Sequence, residues 1–234
     1  MPRQLFLTII EYLPFVLMVF ISLPLHEFAH AYVANRLGDD TAYYQGRLSL
    51  NPLKHLDLFG TISMVLFHFG WAKPVPVNPM RFRGNMRRGM ALVAVAGPTM
   101  NLILSFIFFV LSKLVILLYK FIPIEISFLL FLNWIFYTIS ITNIGLAFFN
   151  LIPIPPLDGS RILSYLLPYK AARFLDTVER YSFYILLGIL FVDSRIGILS
   201  GIVSFLGTNI LWLFDKITFF LGDAVYIPIG LLLQ

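Results

Sequence analysis

The sequence predicts an all-α polytopic membrane protein with about five to six transmembrane helices and a small β-like, membrane-associated insertion. Three observations carry this. Of 234 residues, 59% are hydrophobic and only 12% are charged, whereas soluble domains carry roughly a quarter charged residues. Several apolar segments are long enough to cross a bilayer, for which ~20 residues suffice. The basic residues between them are clustered, as expected of a loop that fixes topology. The net charge of +5 matters through where the charges sit and gives no sign of nucleic-acid binding. Cysteine is absent, which excludes a disulfide framework and a thiolate metal site.

The first apolar segment runs from Leu5 to Asn35, interrupted by Glu11, Pro14 and small polar residues. It has no clean cleavage site and reads as a span, not a leader. Thr41 to Leu50, with Tyr43, Tyr44 and Gly46, predicts a short strand or hairpin, and Asn51-Pro52 a turn. Leu58 to Trp71 is too short to span. Residues 70–79 place prolines at 74, 76 and 79, which excludes helix and predicts an extended edge or loop. Gly89 to Tyr119 and Ile126 to Leu151 are full spans. From Tyr181 onward two more helices are expected, over 180–193 and 196–221.

Lys73, Arg81, Arg83, Arg87 and Arg88 form a basic stretch with no acidic residue. By the positive-inside bias it is cytoplasmic, in contact with anionic headgroups. Arg161, Lys170, Arg173 and Arg180 agree. If the first helix also ends inside, near Arg36, then 58–71 re-enters or packs on the core, and His26 lies ~15 Å below that end at 1.5 Å per residue.

The chemistry begins at His26-Glu27-Phe28-Ala29-His30. Residues four apart share a helical face, so both imidazoles can address one ion. The adjacent Glu27 is placed to act as the general base of metal-assisted hydrolysis. In hydrocarbon such groups are costly unless they serve a site. A catalytic zinc takes three protein ligands, and the best third candidate is Asp158 in Asn150-Leu151-Ile152-Pro153-Ile154-Pro155-Pro156-Leu157-Asp158-Gly159. The prolines end a helix and hold an extended mount, and Gly159 allows a sharp turn after the carboxylate. Asp158 can alternatively cap the helix that follows.

A helix-borne H-E-F-A-H followed by N-L-I-P-I-P-P-L-D-G resembles the site-2 protease family of intramembrane metalloproteases. A-G-P-T-M-N at 96–101 and N-P-L-K-H-L-D-L-F-G-T at 51–61 extend the resemblance over most of residues 20–165. G-W-A-K-P-V-P-V-N-P at 70–79 is similar to the compact members without a regulatory domain. The resemblance implies one Zn2+ held by His26, His30 and Asp158, with Glu27 activating water. It implies hydrolysis of peptide bonds within or next to a substrate's transmembrane helix, in a bacterial or archaeal plasma (inner) membrane. It also implies one domain over 1–234, with a catalytic core at about 5–165 and C-terminal membrane helices at 180–234.

Asn150 is the first candidate to hold the oxyanion and Asn101 the second, although membrane amides also serve as interhelical glue. The strand-like segments 41–50 and 70–79 are candidates to pair with an unwound substrate. His55 reads as a loop-orienting residue, His68 as packing and Glu11 as lining a water path or lying near the outer interface. Two rival classes are a divalent-cation transporter or channel and an inactive scaffold for membrane helices. The absence of internal repeats and the adjacent Glu27 weigh against transport.

Overall fold

A computed structural model describes residues 2–67, 72–118, 121 and 125–223 of the chain. His68, Gly70 and Trp71 lie outside the described residues, as does the side chain of Glu11. The chain is nearly all helix: α1 Pro2–Arg36, α2 Thr41–Tyr44, α3 Leu58–Phe67, α4 Met86–Leu118, α5 Ile126–Leu151, α6 Asp158–Leu166, α7 Tyr169–Glu179, α8 Ser182–Ile196 and α9 Ile198–Ile217. Among the described residues four helices are long and apolar enough to cross a membrane: α1 over Tyr12–Arg36, α4, α5 and α9. α8, at 15 residues, falls short of a full span by length. Over its described residues α3, at 10 residues, is too short to cross, in line with the expectation for 58–71.

α4 is the centre of the assembly and packs against α1, α5 and α6. Small polar residues set the α4–α5 register. Ser105 and Ser140 hydroxyls meet at 3.0 Å, and Asn133 Nδ2 donates to the Ser112 carbonyl at 3.0 Å. Asn143 Nδ2 donates to Ser22 Oγ at 2.9 Å, tying α5 to α1. With lipid on the outside, such contacts replace the hydrophobic drive that joins helices in water. Gly197, at φ 72°, ends α8, and both Asp193 oxygens accept from the first amides of α9, Leu199 at 2.6 Å and Ser200 at 3.1 Å. Asp193 therefore pins a helical hairpin.

The strand expected over 41–50 is a single helical turn. The buried Asp39 carboxylate accepts from both the Thr41 amide and hydroxyl, which closes the turn where residue preference favoured a strand. Among the described residues no strand forms, and β pairing is confined to one antiparallel bridge between Leu56 and Ala72. Prolines 74, 76 and 79 lack the amides a ladder would need. Residues 73–78 carry no regular secondary structure, with Asn78 in the extended region, and they form a strap tied to the C-terminal half of α1 at Glu27.

Candidate active site and metal centre

His26 and His30 lie one turn apart on α1, both buried. The His30 Nδ1–H donates to the Val93 carbonyl of α4 at 2.7 Å, which fixes the tautomer and leaves the Nε2 lone pair directed at the site. That Nε2 stands 3.0 Å from His26 Nε2. Asp158 Oδ2 lies 3.3 Å from His26 Nε2 and 3.4 Å from His30 Nε2. A tetrahedral zinc with bonds of about 2.0–2.1 Å separates its donors by roughly 3.3 Å. Three electron-rich atoms at this spacing suit a cation.

Asp158 reaches this place because the prolines at 153, 155 and 156 end α5 and the chain re-enters helix at Asp158 itself. Its side chain makes no helix cap, the cap position being Leu157, so the capping alternative does not describe it. Gly159 serves close approach rather than a turn. It is helical and buried, and a Cβ on it would lie 2.5 Å from the Ile152 carbonyl oxygen. Burial acts to raise the Asp158 carboxyl, and protonated His26 and His30 beside it would more than reverse this, bringing it down to about 2. It is a carboxylate at neutral pH.

Gly97 of α4 supplies the remaining wall. A Cβ there would fall 2.6 Å from His26 Nε2 and against His30 Nε2. The missing side chain is the space an ion would take, so the donor set and its cradle fit zinc. Nothing in the local sequence singles out this glycine beyond its place in A-G-P-T-M-N.

Glu27 is half-buried, and its Oε2 accepts from the Val75 amide at 2.9 Å. Oε1 carries no hydrogen bond among the described residues. The strap that delivers this amide is tethered along its length. Lys73 N donates to the His55 carbonyl at 2.8 Å, the buried Arg47 guanidinium donates to the Lys73 and Pro74 carbonyls at 3.0 and 3.1 Å, and Asn78 N donates to Asp39 Oδ2 at 2.6 Å. His55 is fully buried, with Nε2 2.7 Å from the Ser49 carbonyl. It holds the loop that holds the strap. Arg47 and Asp39 escaped the sequence reading because their partners are 26 to 39 residues away.

The two amides differ. Asn150 Nδ2 donates to Leu146 O, one turn back in its own helix, at 3.0 Å. Asn101 lies one turn beyond Gly97, is 1% exposed, and neither of its amide atoms has a partner among the described residues.

Comparison with known proteins accords with this chemistry. Residues 115–192, which include Asp158, match the model of Peptidase family M50. YwhC of Bacillus subtilis, a candidate zinc metalloprotease by name, is 43% identical over 207 residues, covering 88% of this chain and 86% of that protein. Rip2 of Mycobacterium tuberculosis, named in the same way, is 31% identical over 83% of this chain and 70% of its own length. No solved structure matches the chain. The chain belongs to peptidase family M50, the site-2 protease family, and is a multi-pass, zinc-dependent metalloendopeptidase.

Proposed function

We propose that the chain hydrolyses peptide bonds within or next to the transmembrane helices of membrane proteins, using His26, His30 and Asp158 as zinc ligands and Glu27 as general base. The observation that carries this reading is the spacing of the three donors, 3.0 to 3.4 Å apart, with a carboxylate on the next residue and the Gly97 cradle beside them. Zinc, when bound, supplies a Lewis acid that polarises the scissile carbonyl and acidifies water. Glu27, held through Oε2 by Val75, has Oε1 to take the water's proton and return one to the leaving amine. Asn150, released from Leu146, donates to the oxyanion.

A helical substrate keeps its carbonyls occupied, so it must unwind before attack. Drawn out beside a substrate strand, the strap would direct the backbone groups of residues 75 and 77 to the same side. The Val75 amide is committed to Glu27, which leaves the Val75 carbonyl and the Val77 amide to pair with an unwound strand. The 41–50 segment, one helical turn at Thr41–Tyr44 followed by irregular chain, forms no such edge.

The active site faces the cytoplasm of a plasma (inner) membrane. Supporting this, the basic residues 73–88 adjoin the C-terminal end of α1 and open α4, and both helices carry site residues within three turns of that end. Residues 1–234 act as one unit.

The test is metal content together with cleavage. Purified wild type should hold one zinc per chain, lost in His26→Ala and Asp158→Ala and retained in Glu27→Gln. Wild type, but not Glu27→Gln, should cut a synthetic polyleucine helix with a central Gly-Pro break. Zinc without cleavage of any membrane peptide would overturn the proposed substrate class, and zinc kept by Asp158→Ala would overturn the ligand set.

A further inference from the structure

A cavity of about 300 Å³ opens beside the first turn of α4, between it and the α6–α7 pair. Arg87, Arg161 and Arg173 line it, together with Tyr165 and Tyr169, and no carboxylate is among its lining residues that are described. The three guanidinium groups are held in advance. Arg87 Nη2 donates to the Ser164, Tyr165 and Leu167 carbonyls, capping the C-terminal end of α6. Arg161 pairs with Glu179, and Arg173 lies over the Tyr169 ring at 5.7 Å. Arg87 Nε is buried with no partner among the described residues, a donor without an acceptor beside a cationic cavity.

The depth of the cavity follows from the span. α4 begins at Met86, so its first turn is one end of a membrane-crossing helix. Tyr165, Leu166 and Tyr169 expose large surfaces there, at 41%, 72% and 65%. Aromatic rings of this amphipathic kind concentrate at the membrane–water boundary, and short helices with apolar and basic faces lie in it. Guanidinium groups match phosphate oxygens two at a time, and basic pockets at this level take lipid headgroups.

We infer that this cavity binds a phosphate group, and that its depth selects the phosphate of an anionic phospholipid headgroup. α6 runs from Asp158 to Leu166, so the headgroup and the carboxylate of the metal cluster stand at opposite ends of one nine-residue helix. The binding does not depend on the protease reading.

The test is lipid retention by the full chain in detergent, followed by native mass spectrometry. Dioleoylphosphatidylglycerol, dioleoylphosphatidylcholine and inorganic phosphate are the three probes. Wild type should retain the glycerol lipid in preference to the choline lipid. Arg161→Gln and Arg173→Gln should each weaken retention by about tenfold, the effect of losing one charge-assisted contact. Arg173 is exposed and caps no helix, so its variant separates binding from folding. Lys170→Gln removes the same charge from the same face outside the cavity and should change nothing. Equal retention of both lipids would overturn selection of an anionic headgroup, and an equal loss in Lys170→Gln would overturn the site in favour of diffuse attraction. Displacement of the lipid by inorganic phosphate at comparable concentration would overturn the lipid source and assign the cavity to a soluble phosphate.

Discussion

The Val75 amide donates to Glu27 Oε2 at 2.9 Å across 48 residues of sequence. It is the one backbone donor between Pro74 and Pro76, neither of which has an N–H to offer. Their fixed φ angles stiffen the strap around it, and Arg47 and Asp39 hold the strap on either side. Glu27, the proposed general base, is therefore aimed by a tethered loop rather than by its own helix. Val75→Pro removes the donor while keeping an extended backbone. It should leave zinc stoichiometry unchanged and lower turnover of the polyleucine probe about tenfold to a hundredfold, the usual cost of misplacing a reacting group. Zinc analysis beside single-turnover cleavage checks this. A fall in zinc would place Val75 in the metal site instead.

Gly97 offers a sharper test of where the ion sits. In Gly97→Ala the new methyl would fall 2.6 Å from His26 Nε2, in the space between the imidazoles. α4 gains helix propensity from the change, so the fold should persist while zinc is excluded. Gly145→Ala on α5, where a Cβ meets nothing within 4 Å, is the matched control and should keep its metal. Zinc per chain and helical circular dichroism, measured on both variants, decide the matter.

Much of this site was legible in the sequence, and the reasons differ by residue. His26 and His30 share a helical face by spacing alone. Asp158 stood out because three prolines hold it at the end of a span. Gly97, Val75, Arg47 and Asp39 were not legible, since each acts through a tertiary contact that leaves no local period. The misread strand at 41–50 has a local origin, two residues upstream of Thr41. Its aromatic residues favour extended chain, but the Asp39 carboxylate closes a helical turn on Thr41, and nothing within 41–50 records that acceptor.

Lys113 shows what a buried charge demands of its neighbours. It lies inside α4 with 1% of its side chain exposed, and its Nζ is 2.7 Å from Asp215 Oδ1 near the end of α9. It also donates to the Thr218 carbonyl at 3.3 Å and lies over the Phe109 ring at 5.5 Å. Removing only the carboxylate strands the cation, at a cost of about 3–5 kcal/mol, whereas removing both charges avoids that penalty. Asp215→Asn should thus lower the thermal midpoint in detergent more than the double variant Lys113→Met/Asp215→Asn. Both should retain zinc, because the pair lies four turns of α4 from Gly97. An equal loss in the two variants would mean the carboxylate is screened by solvent and contributes little.

Asn101 and Asn150 separate interhelical support from catalysis. Asn150 donates to a carbonyl of its own helix, a bond easily exchanged for one to a substrate oxyanion. Asn150→Ala should lower kcat about 10²–10³-fold, the range for loss of one oxyanion donor, with zinc and thermal midpoint unchanged. Asn101 is buried with both amide atoms unpaired among the described residues, so its polarity is a cost where it stands. Asn101→Leu, similar in size and apolar, should raise the thermal midpoint, since it removes the desolvation penalty of an unsatisfied amide, worth about 1–3 kcal/mol. Should Asn101→Leu instead abolish turnover at full stability and full zinc, the oxyanion donor is Asn101. The buried amide would then be polar for the sake of the reaction, and Asn150 would be the one that only steadies its helix.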